Sequence, residues 1–186
     1  REAATEVAKS RCLALTSADS LLAANPPGND PGWLTVIVVP GGHEAQPLPT
    51  EGLINTVKDY LGQRSLPTLA TRIDVIGPRY VSVDVSAEVV PRRMAEAKTV
   101  EKRVFDQLTA FLHPLSGGPD GNGWEFGRDI YLSEIAAVVQ ATEGVDRVRS
   151  LIVRKTGDVV PSANQIAIGG NDLPAAGNLT VLATEA

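Results

Sequence analysis

Four glycines, Gly117, Gly118, Gly121 and Gly123, crowd into seven positions, and two large aromatics, Trp124 and Phe126, follow at once. So dense a run continues neither a helix nor a strand, because glycine surrenders backbone freedom and brings no side chain to pack. The segment must be a loop, and one able to double back where other residues cannot. It should drop Trp124 and Phe126 onto a core as a clasp against the preceding helix. One buried Trp is worth about 3–5 kcal/mol on truncation. The wider stretch from His113 to Val153 then reads as helix end, glycine loop, GW-x-FG, a helix from Leu132, a stop at Gly144 and an apolar strand. Gly144 suits the left-handed position that ends many helices.

The elements around this stretch set the fold class. Residues 6–15 read as a strand through Val7, Leu13 and Leu15, and NPPGNDPG at 25–32 as an exposed loop. WLTVIVVP at 33–40 is a buried strand, a nearly continuous β-branched run stopped by Pro40. After a loop at 41–49, Leu53, Ile54, Val57, Tyr60 and Leu61 form one helical stripe, with Thr50 as N-cap and Gly62 as stop. TRIDVI at 71–76 returns as a strand. In 81–89 the valines and Ala87 alternate with Ser82, Asp84, Ser86 and Glu88, predicting a sheet with one face on a core and one facing water or a partner. Ala97, Val100, Val104, Leu108, Phe111 and Leu112 keep helical spacing across 94–112, and Ile135, Val138 and Val139 across 132–142. VDRVRSLIVRK is a strand. QIAI and NLTVLA are weaker strands separated by GGNDLPAAG. The expected fold is α+β, in two small mixed strand/helix modules. Residues 1–77 make a strand-strand-helix-strand module, and 78–186 a strand-helix-loop-helix-strands module.

Charge and cysteine content narrow the function classes. The formal net charge is −5 with no long basic run, which argues against a nucleic-acid surface built on clustered phosphate contacts. The single cysteine, Cys12, permits no internal disulfide and no cysteine-rich zinc site, and its apolar context RCLAL predicts a buried structural thiol. No stretch approaches the roughly 18 apolar residues of a membrane span. The charged, alanine-rich start REAATEVAKSR is no signal peptide, and it reads as part of a longer protein.

No catalytic, cofactor-binding or metal-binding residues emerge. His43 and His113 stand in a loop and at a helix end, without a His or Cys at metal-ligand spacing. Both read as surface or capping residues, and a helix C-terminus would favour the charged form of His113. Asp120 and Asn122 fit the start of a calcium loop, but Trp124 and Glu125 break its pattern. GNGWEFG follows a helix rather than a strand, so it is no dinucleotide fingerprint. Glu125 and Asp129 could form a carboxylate pair, yet no histidine partner stands beside them.

Six landmarks in order support an identification: PGWLTVIVVP, KDYLGQR, IDVIGPRYVSVDVSAEVVP, FLHPLSGGPDGNGWEFGR, SEIAAVVQATEGVDRV and AAGNLTVLAT. From Cys12 almost to its end the chain resembles the C-terminal region of baseplate J-like proteins of contractile phage tails and contractile injection systems. The loop PLSGGPDGNGWEFGR looks more like injection-system and jumbo-tail versions. The resemblance implies a structural wedge component of a ring around the central spike hub, linked to the sheath, and no enzymatic activity, cofactor or catalytic residue. It implies a hetero-oligomeric ring whose partners are other wedge subunits, a second related baseplate J-like chain, and spike, hub and sheath-linking proteins. Assembly in the cytoplasm and residence in a phage-tail-like particle would follow.

The alternative class is a receptor- or carbohydrate-binding module at a particle tip, whose signature would be exposed aromatics, and only two Trp and three Tyr are available. A small hydrolase lacks any nucleophile–base arrangement. As an assembly part, the domain should self-associate poorly alone. The polar face of 81–89 should be solvated or weakly contacted, and that sheet's edge could accept a strand from a neighbour.

Overall fold

A computed structural model describes residues 6–23 and 30–185. The protein is α+β and divides into two compact units, Arg1–Pro78 and Arg79–Ala186. Most of the loop expected at 25–32 lies outside the described residues.

The first unit is a three-stranded sheet in the order β1-β2-β3, formed by Val7–Ala14, Leu34–Pro40 and Ile73–Ile76. β1 runs antiparallel to β2, and β3 parallel to it. The long helix α2 (Glu51–Arg64) joins β2 to β3, while α1 (Ala18–Ala23) and α3 (Pro67–Ala70) are short. The β-branched run of β2 is buried because it is the central strand: Val38 packs with Ile73, Val75 and Leu53 of α2 in one cluster. On the opposite sheet face the Thr35 hydroxyl donates to the Thr16 carbonyl at 2.7 Å, and Asp74 accepts the Ala18 N–H at 2.9 Å. The Thr50 side chain caps α2 by accepting the Leu53 N–H at 3.2 Å.

Four expectations for this unit need correction. Cys12 is exposed, not buried: β1 is an edge strand of alternating burial, and Cys12 falls on its outward side. Leu15 lies beyond β1 with φ +58°, half exposed. The helix passes through Gly62 to Arg64, since one glycine costs a helix only about 1 kcal/mol and Ser65 supplies the cap. Tyr60 leaves the apolar stripe and lies exposed beneath the Arg64 guanidinium, 3.7 Å from its ring centroid.

The second unit is built on β4 (Arg79–Pro91), flanked by β6 (Val145–Lys155) antiparallel and β8 (Asp172–Ala183) parallel. Helices α4 (Ala97–Phe111) and α5 (Leu132–Ala141) lie between β4 and β6 in the chain. A two-stranded pair, β5 (Ile130–Tyr131) with β7 (Gln165–Ile166), completes the unit. The core joins Val83, Val85, Ala87 and Val89 of β4 to Val100, Val104 and Leu108 of α4 and Ile135 and Val139 of α5, all buried. Gly144 ends the α5 turn at φ +94°.

DLPAAG, expected as part of a separating loop, is instead the first half of β8. Pro174 is tolerated there because β8 is an edge strand, where a missing N–H removes no ladder bond. Of QIAI only Gln165–Ile166 is strand.

Candidate functional site

The glycine loop folds back on the end of α4 and closes it. The Phe111 carbonyl, one of the last in the helix, accepts both the Gly118 N–H at 2.8 Å and the Trp124 indole N–H at 2.9 Å. Gly117 donates to His113 at 2.8 Å, Gly123 to Gly117 at 2.9 Å, and Trp124 to Pro114 at 2.9 Å. A side chain is excluded at two of these positions. At Gly117 a Cβ would collide with the carbonyl oxygens of Phe111, Ala110 and His113. At Gly123, where φ is +83°, it would come within 2.6 Å of the Leu115 oxygen. Trp124 is consequently 1% exposed, edge-on to Phe111 with ring centroids 5.3 Å apart. Phe126 is only half-buried.

Polar side chains hold the far side of the clasp. Arg128 stacks over Trp124 at 5.1 Å and donates to Glu134 at 2.7 Å. Glu134 also accepts the Tyr131 N–H at 3.2 Å, which fixes the start of α5. Asp129 accepts the Ile168 N–H at 2.8 Å and the Gln165 amide at 3.3 Å, tying the loop to β7.

The candidate chemical residues serve structure or stand apart. Asp129 is committed to the β7 segment while Glu125 is exposed, and no acid–base dyad forms. Asp120 and Asn122 are exposed on the loop, and the described residues contain no cluster of three metal-ligating side chains. His43 is exposed beside a cleft of about 630 Å³ that Glu6, Glu44 and Leu53 also line. His113 caps the turn after α4: its Nδ1 accepts the N–H groups of Leu115 and Ser116, both at 3.2 Å. A cleft of about 540 Å³ between α4 and α5 holds Asp106 and Glu143, but these pair with Lys102 at 2.8 Å and Arg103 at 3.6 Å. The exposed aromatics Tyr60, Phe105 and Tyr131 sit on separate elements.

The polar face of β4 differs from the expectation. Ser86 is exposed, but Asp84 is buried, accepting the Thr156 hydroxyl at 2.6 Å and the Asn178 N–H at 2.8 Å, with Arg154 at 3.6 Å. These bonds, the Thr156 hydroxyl first, hold its carboxyl below the usual range. Nor does β4 offer an edge, because it is the central strand. The sheet's edges belong to β6 and β8, and side chains occupy part of each. The Gln140 carboxamide donates to Asp146 at 2.9 Å and accepts from Val148 at 3.2 Å along β6. Glu101 takes the Ala183 N–H of β8 at 3.0 Å. Such coverage blunts edge-to-edge pairing.

The family model described as Baseplate J-like protein C-terminal domain matches residues 83–171, from β4 through the clasp to the residue before β8. No curated protein matches the chain. Among solved structures, it is similar to a chain of the cryo-EM structure of the anti-feeding prophage (AFP) baseplate, six-fold symmetrised, with 16% identity and a TM-score of 0.61. The alignment covers 92% of this chain and 34% of that one, so this chain spans about a third of that chain's length. At this identity the likeness is one of fold. No helix among the described residues is long and apolar enough to cross a membrane.

Proposed function

We propose that this chain, whose residues 83–171 carry a Baseplate J-like C-terminal domain, is a structural component of the baseplate of a contractile injection system or contractile phage tail. The observation that carries this reading is the inclusion of the whole clasp, from the end of α4 to the start of α5, within the matched segment. Its side chains are spent on closing the loop rather than on presenting reactive groups, which suits a rigid assembly part and not an enzyme.

In finer terms we read it as a wedge subunit of a hetero-oligomeric ring around the central spike hub, linked outward to the sheath. Its neighbours would be other wedge subunits, a second related baseplate J-like chain, and hub and sheath-linking proteins. The fold likeness to a chain of the AFP baseplate supports this placement. Each contact can be weak, because ring repetition multiplies valency. The ring would assemble in the cytoplasm and remain part of the particle. Deleting the gene in the producing host tests the reading: sheathed particles should disappear and return on complementation. Normal particles from the deletion strain would contradict it.

A further inference from the structure

We propose that the end of the first unit's sheet around Leu15 is a docking surface for a different protein subunit, one presenting apolar side chains and a carboxylate. The inference rests on the reading of the chain as an assembly component. Leu15 is the one non-glycine residue with positive φ among the described residues, at +58°, and half of its side chain is exposed. A leucine in the left-handed region strains the backbone, whereas Gly or Asn would fit with less cost. Two bonds fix the conformation: Leu15 N–H donates to Trp33 at 2.9 Å, and its carbonyl accepts the Asp30 N–H at 2.8 Å. The fold thus calls for this backbone shape, while the leucine side chain gains little burial within the chain.

Its surroundings fit a contact surface. The Leu34 N–H donates to the Arg72 carbonyl at 2.9 Å, the Arg72 N–H to Leu69 at 2.8 Å, and the Leu69 N–H to Leu66 at 2.8 Å. The ends of β1, β2 and β3 therefore bring Leu15, Trp33 and Arg72 to one end of the sheet, with Leu66 and Leu69 joined to it through α3. Leu66 is 73% exposed and Leu69 37%. Single exposed leucines are ordinary on a surface, but here they accompany Trp33 and Arg72 at the sheet end, and Trp and Arg are residue types that dominate binding energy. Arg72 is exposed and lies against Gly32, where a Cβ would meet its Nη1 at 2.6 Å. It enters no ion pair among the described residues. A cation held this way is complementary to a partner's carboxylate.

Three variants of the full chain, expressed in a deletion strain, test the surface. Leu15→Asn should raise the melting temperature of the free chain by roughly 2–5 °C by relieving the backbone, yet lower its incorporation into purified particles several-fold. Arg72→Glu should lower incorporation with an unchanged melting temperature. In a Cys12→Ser background, Leu15→Cys should react with a maleimide in the free chain and be protected in particles. Normal incorporation of the first two variants, with equal labelling of the third in both states, overturns the docking surface and leaves the baseplate reading intact. Absence of the wild-type chain from particles overturns both. Protection of the cysteine in the free chain as concentration rises would assign the surface to a second copy and overturn the proposal.

Discussion

The Trp124 indole N–H donates to the Phe111 carbonyl at 2.9 Å while the two rings meet edge to face, with an interplanar angle of 81°. One residue thus satisfies a helix-end carbonyl and fills the space beside the same turn. Carbonyls of a helix's last turn have no partner inside the helix and must find one elsewhere. The loop supplies it, so burial of the ring and termination of α4 are one event.

Replacing Trp124 should separate these contributions. Trp124→Ala should cost about 3–5 kcal/mol and lower the melting temperature by more than roughly 10 °C. Trp124→Phe keeps much of the packing and loses the donor, so it should cost less than alanine does. Thermal unfolding followed by circular dichroism reads both. Equal melting temperatures for wild type and Trp124→Ala would sink the clasp.

Gly117→Ala should destabilise the second unit without touching any exposed surface, since the added methyl would meet three carbonyl oxygens at once. We expect a loss on the order of 2 kcal/mol or more, the scale of overpacking a tight site. Gly121→Ala is the comparison: nothing lies within 4 Å of its Cβ, though its φ of +69° still carries strain. Denaturation midpoints should rank Gly117→Ala clearly below Gly121→Ala, and the reverse order would contradict the packing described.

Much of this architecture was legible in the residues, and the exceptions have physical reasons. The β2 run and the α4 stripe stand out because buried β-branched residues and helical spacing leave strong patterns. The role of Trp124 could be read from its glycines, as no other purpose for them was evident. The short α1 and α3 are below the length at which periodicity shows, although Pro67 at the start of α3 is a typical first-turn residue. The first half of β8 was hidden by Pro174, which its edge position makes tolerable, and by Gly177, which lies at a register shift where a Cβ would meet the Asp84 carboxylate. Strand order cannot be read from one strand's alternation, and so the central place of β4 and the burial of Asp84 were missed. Leu15 gave no signal at all, since a backbone angle is invisible in residue type.

Asp84 predicts a pH dependence. Its carboxyl is held below the ordinary value of 3.8, chiefly by the Thr156 hydroxyl and then by the Asn178 N–H. A group whose folded pKa is lowered stabilises the fold fully above its unfolded pKa, and that stability is lost as pH falls through the folded value. Asp84→Asn should therefore be less stable than wild type at neutral pH. The gap should narrow as pH falls below the ordinary carboxylate range and the wild-type carboxylate protonates. Urea midpoints across this range report it, and a gap independent of pH would show that the charge contributes nothing.

Neither calcium nor nucleotide should bind. Asp120 and Asn122 lack the remaining ligands of a calcium loop, and the glycines at 117–123 close a helix end instead of cradling phosphates. Calorimetric titration of the full chain with calcium chloride or ATP should give heats of dilution only. Saturable binding in the micromolar range would refute this.

The central claim, that this chain is a built-in part of a baseplate, is tested most directly by imaging. Particles purified from the producing host would carry a small tag at the chain's C-terminus, located by gold labelling in electron micrographs. The account predicts label on the baseplate end of nearly every particle, in repeated positions around the axis. Label on the sheath, on the opposite end, or absent from particles that assemble normally would contradict it.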